Sequence, residues 1–288
     1  MLALKDTPTE YQRWINIVET SRAFEDDLRM AEFGQVPEHT EGDSVFYEDM
    51  LEGTTKRYEP LEYVLGYQIT QKMREDDQHG VMVRATQALR KSFRNLFEVT
   101  SYFPLNNSTS TTTSRMTGFD TLALLSTAHT NLGDASTQAN KPSTDVTLSQ
   151  TALEAAQTTF GGWTGEKGLP AMLTPRIALV DNSAQHVAAK LMRNAMRYDT
   201  ANNEENWVRQ GPDDNGLRTY VPSRYFTATN QWFVLSAKGD HDINLFIRKH
   251  PQFETSVDFN TGNFLGKGRA RLVSSHGRWI GVYGSKGF

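Results

Sequence analysis

Asp120 and His129 are the residue pair in this chain best placed to do chemistry. Asp120 stands just before the apolar run Leu122–Leu125, and His129 follows it where the run opens into a loop that also holds Asn131, Gly133 and Asn140. A histidine oriented by a carboxylate is the base half of an acid–base pair. A hydrolase would need a nucleophile as well, yet there is no GxSxG elbow and no serine set beside the pair. A structural histidine in a turn-rich segment therefore competes with catalysis, and no catalytic residue is expected.

Other clusters are weaker. Asp240-His241-Asp242 offers three metal-ligating side chains, but adjacent residues seldom converge on one ion, and no HxxxH pair accompanies them. Asp213, Asp214 and Asn215 before Gly216 look like half a calcium loop without its spacing or its distal glutamate. No phosphate-cradling or dinucleotide glycine motif occurs. GKGRAR (Gly266–Arg271) is a small basic patch that suits a charged edge strand better than a phosphate site. No metal and no cofactor is expected.

Composition narrows the classes further. The chain has 288 residues, 38% hydrophobic and 22% charged, with net charge -4 and no cysteine. Disulfides, thiolate metal sites and cysteine nucleophiles are excluded. No apolar run is long enough to span a bilayer, and MLALKDTPTEYQRW does not read as a signal peptide. A reducing cytoplasm fits. The acidic balance argues against a broad nucleic-acid footprint and against anionic membranes as partners.

The dominant element is Lys72–Val99, read as one long helix. From Met82 onward its apolar residues recur every three or four positions. Glu75, Asp76 and Asp77 near its start and Arg90, Lys91 and Arg94 near its end match the macrodipole. Such a helix would span about 42 Å, a beam more than the wall of a pocket. Gly80 is the place for a kink.

Before it, Thr7, Pro8 and Glu10 give a helix start. Tyr11, Trp14, Ile15 and Val18 then form a face that must pack later in the chain or on another copy. Gly34–Thr70 reads as strand, turn and strand, with a turn at Glu52-Gly53-Thr54 and period-two alternation from Leu61 to Ile69. This tyrosine-rich hairpin is marginal alone, so it needs its own chain or a neighbouring subunit.

After the helix come an expected strand, VTSYFPL, and a polar loop, Asn106–Arg115. A helix follows the capping box Thr147–Gln150, ending at Gly161-Gly162. A buried strand centred on Ile177–Val180 leads to a helix capped by Asp181 or Asn182. The remainder is strand-rich: TYVP, RYFTA, QWFVLSA, INLFIRK and QFETSVDF about the His250-Pro251 break, a turn at Asn260-Thr261-Gly262, then ARLVSS and RWIGVYG. Helices and strands mix without regular alternation, which favours an α+β fold.

GYQITQKMREDD, GFDTLALLSTAHTNLGDASTQAN, LSQTALEAAQ, RIALVDNSAQHVAAKLM and the closing GVYGSKG, in that order, resemble the major capsid proteins of tailed bacteriophages, close to the Mu-like major head subunit family. The resemblance runs from about Phe33 to the C-terminus. It implies the HK97-like fold: an N-terminal arm (1–33), an extended E-loop (34–70), a P-domain (71–142, spine helix 72–99, with return strands 242–288) and an A-domain (143–241).

It further implies self-assembly into hexamers and pentamers of an icosahedral or prolate shell in the virion. That shell would be built in the host cytoplasm around double-stranded DNA, with portal and scaffold or decoration proteins as partners and no membrane. A scaffolding segment would be supplied separately, cleaved or omitted. Trp14, Tyr47, Arg57, Tyr58 and Tyr63 are the expected inter-subunit contacts, and Gly80 is the expected spine bend. Lys56 is a cross-link candidate by location only. An encapsulin-like nanocompartment shell enclosing cargo is the alternative, and a hydrolase using Asp120 and His129 a third.

Overall fold

The computed structural model describes residues 9–77, 80–196, 204–211 and 216–287. The expected Thr7 and Pro8 helix start and the Asp213–Asn215 acidic loop lie outside the described residues.

In chain order, a 3-10 turn at Tyr11–Arg13 leads to strands β1 (Asn16–Glu19), β2 (Glu25–Ala31), β3 (Leu51–Tyr58) and β4 (Leu61–Ile69), then helices α1 (Gln71–Glu75), α2 (Val81–Ser101) and α3 (Phe103–Asn106). Strands β5 (His129–Thr130) and β6 (Thr137–Gln138), helix α4 (Gln150–Gly162), strand β7 (Ile177–Asp181) and helices α5 (Gln185–Arg193) and α6 (Trp207–Gln210) follow. Strands β8 (Thr219–Ser223), β9 (Trp232–Leu235), β10 (Ile243–Val257), β11 (Phe264–His276) and β12 (Val282–Ser285) complete an α+β chain.

Contacts divide it into two units. The first comprises the chain through Glu25, Tyr58–Phe103 and Asn244–Ser274; the second comprises Asp26–Arg57, Pro104–Ile243 and Ser275 onward. Residues 104–142 and 275–288 thus cluster with 143–243, whereas the resemblance placed them with the spine helix.

The first unit is a four-stranded sheet in the order β1-β10-β11-β4. β1 runs parallel to β10, and β4 antiparallel to β11, from Phe264↔Ile69 to Leu272↔Leu61. β10 is continuous through His250-Pro251, where two strands were expected. Proline lacks an N–H for the ladder and survives beside an unpaired edge. The register of β1 on β10 ends at Ile247, so the Pro251 position has no β1 partner on that side. β11 lies inside the sheet, so GKGRAR is not an edge strand. Its cations pair across the sheet instead: Lys267 Nζ with Glu254 Oε2 at 2.9 Å, and Arg269 with Glu62.

The long helix is two helices. Gly80 stands at φ 65° as the N-cap of α2, a left-handed conformation no continuous helix tolerates. The Asp77 carboxylate accepts the Val81 N–H at 2.9 Å, so one of the acids expected inside one long helix serves the start of the second. α2 has 21 residues, about 31 Å. Leu89, Phe93 and Phe97 form its buried stripe. Phe93 meets Phe253 edge-on, with centroids 5.5 Å apart. Gly268 permits this approach, because a Cβ there would fall 2.3 Å from Phe93. The helix runs on through Ser101, and α3 follows, so VTSYFPL is helical rather than a strand.

The N-terminal segment is a 3-10 turn and a strand, not an amphipathic helix. Glu98, buried in the last turns of α2, accepts the N–H groups of Glu10 (2.7 Å) and Tyr11 (3.1 Å). Burial raises its pKa in spite of those bonds. Tyr58, Phe246 and Val273 form a separate small core, with the Tyr58 and Phe246 rings stacked at 4.5 Å.

The second unit is built on the sheet β12-β9-β7-β8, with β7 parallel to β8 and antiparallel to β9. α4 and α5 supply Leu153, Ala156, Phe160, Ala188 and Leu191 to the core around Trp163, Trp232 and Trp279. Ser149, rather than Thr147, caps α4 by accepting the Ala152 N–H. Asp181 caps the turn before α5, as expected. RYFTA forms no strand.

β3 does not pair with β4. It joins β2 in a two-stranded ribbon, and Glu52-Gly53-Thr54 lies inside β3. The projecting loop is therefore 32–50, earlier than expected.

Candidate functional site

Asp120 and His129 do come together. His129 Nδ1 lies 2.5 Å from Asp120 Oδ2, and Nε2 lies 3.2 Å from Asn140 Oδ1. The imidazole is fully buried and stacks on Trp279 at 4.5 Å and 8°. Trp279 meets Trp163 edge-on, and Trp163 Nε1 donates to Ala139 O at 3.0 Å. Asn140 Nδ2 donates to Leu124 O, and its Oδ1 accepts from Ser126 N.

Burial pushes the Asp120 carboxyl up. The hydrogen bond and charge of His129, with the Leu122 N–H, outweigh this and leave its pKa lowered. An imidazole with both nitrogens committed and both faces enclosed holds three loop segments together; it has no site left for a substrate proton. Asn140→Ala should cost about 1–3 kcal/mol of unfolding free energy, since it strands buried groups on His129, Ser126 and Leu124. Urea unfolding of the unassembled subunit checks it.

Lys56 reaches into the same unit from β3, where its Nζ donates to the carbonyls of Thr117 and His276. Burial lowers its pKa to about 8 against the pull of Asp242, Asp120 and Asp27. A buried amine holding two carbonyls anchors the ribbon and is not displayed for cross-linking. Arg29, which sequence reasoning missed, locks the other ribbon strand: a bidentate pair to Glu166 at 2.8 and 2.7 Å, plus Thr130 O at 2.6 Å.

His241 Nδ1 accepts from Ile243 N, and Asp242 Oδ2 from Arg278 N. Among the described residues no three His, Asp or Glu side chains converge as a metal site.

The exposed feature is the loop 32–50. Glu48 closes its neck, accepting Gly34 N–H at 2.9 Å and Lys167 Nζ at 2.8 Å. Beyond the neck, Val36 and Tyr47 are each 87% exposed and Phe46 67%. Large apolar groups on a loop held at its base form a surface that needs a partner. Of the expected contacts, Tyr47 is on this loop. Arg57 is exposed and pairs with Asp26 at 2.7 and 2.8 Å. Tyr63 is half-buried on β4. Trp14 and Tyr58 are buried within the first unit.

A family model described as phage capsid protein matches residues 53–285. The chain belongs to the phage capsid protein family. This is a family of structural proteins, not of enzymes, and the hydrolase reading falls with it.

Solved structures similar to this capsid chain share the HK97-like fold. The bacteriophage PhiM1 mature capsid is 12% identical, with TM-score 0.62, over 96% of this chain and 86% of that one. The capsid of cyanophage P-SCSP1u is 11% identical, with TM-score 0.61, over 99% and 89%. The bacteriophage JBD30 capsid, decorated with minor capsid protein trimers, is 9% identical with TM-score 0.54. This chain spans 66% of that one's length. No curated protein matches. Among the described residues no helix is long and apolar enough to cross a membrane.

Proposed function

We propose that this capsid chain assembles, through hexamers and pentamers, into the closed icosahedral or prolate head of a tailed phage, and that the head encloses double-stranded DNA. Assembly takes place in the host cytoplasm with a portal and with scaffold or decoration partners. The carrying observation is the loop 32–50, whose apolar tip is exposed beyond a neck fixed by Glu48 and Lys167. The ribbon β2–β3 with this loop is the E-loop, the spine is α2, and the first unit's sheet is the P-domain. The β7–β9 sheet and its helices form the A-domain. Gly80 is the hinge through which α1 changes direction against α2.

Shell contacts are individually modest and gain strength by repetition. Phe46→Ser with Tyr47→Ser should therefore leave the unfolding midpoint of the subunit unchanged and reduce closed-shell yield at least about tenfold, a 1.4 kcal/mol loss per contact being a tenfold change. Sedimentation of assembled against unassembled protein measures it. Wild-type yield would remove the loop from the assembly contacts.

A further inference from the structure

We propose that the solvent face of α2 is a contact surface for the phosphates of double-stranded DNA. This rests on the shell reading and names the surface that meets the enclosed DNA.

The chain is acidic overall, but α2 is not. From Val81 to Phe97 it carries Arg84, Arg90, Lys91 and Arg94 and no acid. Its one acid, Glu98, is buried and occupied by the N–H groups of Glu10 and Tyr11. Arg94 lies toward that carboxylate and is not counted. Arg84, Arg90 and Lys91 are exposed, and among the described residues no carboxylate pairs with them. In the sheet of the same unit Lys267, Arg269 and His250 each meet a glutamate.

Solvated helices ordinarily set acids three or four positions from their cations. Around Arg90 and Lys91 those positions hold Thr86, Gln87, Ala88, Phe93, Arg94 and Asn95. The Arg90–Arg94 spacing is a like-charge pair, which opposes the helix. Arg90 is also steadied over the Phe253 ring, 5.9 Å from its centroid. Beside the cations Gln87 and Asn95 are exposed, and their side-chain amides can donate to phosphate oxygens.

A protein partner would need an apolar centre; the exposed large apolar side chains of α2, Val83 and Val99, lie at the two ends of the cationic stretch, and none lies between Arg84 and Asn95. Arg84 to Lys91 spans about 10 Å of helix axis. DNA presents one charge per ~1.7 Å of its axis, so each cation can meet a separate phosphate. Three contacts give weak, sequence-independent, salt-sensitive binding, which lets packed DNA slide.

The test is anisotropy of a short labelled DNA duplex with the full-length unassembled protein across salt. With three phosphates neutralised, affinity should fall about 40-fold between about 50 and about 200 mM salt. The triple variant Arg84→Gln, Arg90→Gln, Lys91→Gln should lose nearly all of it, while Lys267→Gln with Arg269→Gln keeps it. If the triple variant does not fold, Arg84→Gln and Lys91→Gln alone should each reduce the salt slope by about one.

Unchanged duplex binding in the folded triple variant overturns the proposal. So does a wild-type face that ignores duplex and binds poly-glutamate, which would assign it to an acidic protein segment. Closed shells together with unaltered duplex binding overturn this surface and leave the shell reading. Duplex binding through α2 in a chain that never closes shells overturns the shell reading and leaves the surface.

Discussion

Trp14→Ala should destabilise the unassembled subunit by about 3–5 kcal/mol, read as a lowered urea midpoint. Trp14 is fully buried and packs on Tyr102, centroids 5.0 Å apart at 57°. Its neighbour Tyr11 lies 6.0 Å from Phe97, and Ile15 is also fully buried. These three side chains, with Glu98 holding the turn by two backbone N–H groups, fix the entry of β1 beside β10. Removing the indole leaves a cavity at that junction and loosens the C-terminal half of α2. Trp14→Phe should cost less, since an aromatic ring still meets Tyr102. An inter-subunit role for Trp14 predicts the opposite pattern: an unchanged subunit midpoint with assembly lost.

Acid should weaken the folded subunit from about pH 6.5 downward, because of His276. This imidazole is buried, and neither ring nitrogen has a hydrogen-bond partner. Burial holds its pKa well below the usual histidine value, and the charges of Lys56 and His129 add to the effect. The unfolded chain therefore takes up a proton below about 6.5 that the folded chain refuses, so stability present above that pH is lost as pH falls. The loss grows as pH falls below the unfolded histidine value and levels off once pH reaches the lowered value of the folded imidazole.

Two other groups act in different windows. Asp120, lowered in the fold, loses its contribution only as pH falls below the ordinary aspartate range,. Lys56, at about 8 in the fold, makes stability rise between pH 8 and its unfolded value near 10.4. His276→Leu, or His276→Phe if the first does not fold, should flatten the limb between pH 5 and 6.5. Removing two unsatisfied buried nitrogens should also leave neutral-pH stability close to wild type. A wild-type slope retained in either folded variant would place the acid-sensitive proton elsewhere.

Segments whose own residue pattern carries the signal were legible. The period of α4, the run Ile177–Val180 and the Asp181 cap all read correctly because local periodicity and caps decide them. Thr7, Pro8 and Glu10 suggested a helix, but Asn16–Glu19 gains more from pairing with Asn244–Ile247, which no local signal reveals. Period-two alternation identified Leu61–Ile69 as a strand without naming β11 as its partner. The same ambiguity put the ribbon turn at Gly53 when the projecting loop is 32–50. At Gly80 the sequence suggested a kink within one helix, and the left-handed backbone there makes it a break between two. The closeness of Asp120 and His129 was legible. Their sealing by Asn140 and Trp279 was not, because Trp279 comes from the far end of the chain.

Electron microscopy of the full-length chain, expressed alone and together with its phage's scaffold protein, tests the central claim most directly. The account predicts closed shells of uniform size, with residues 32–50 of each subunit lying on a neighbouring copy. A folded protein that stays monomeric at high concentration with scaffold present, or shells in which 32–50 touches only its own subunit, would contradict it.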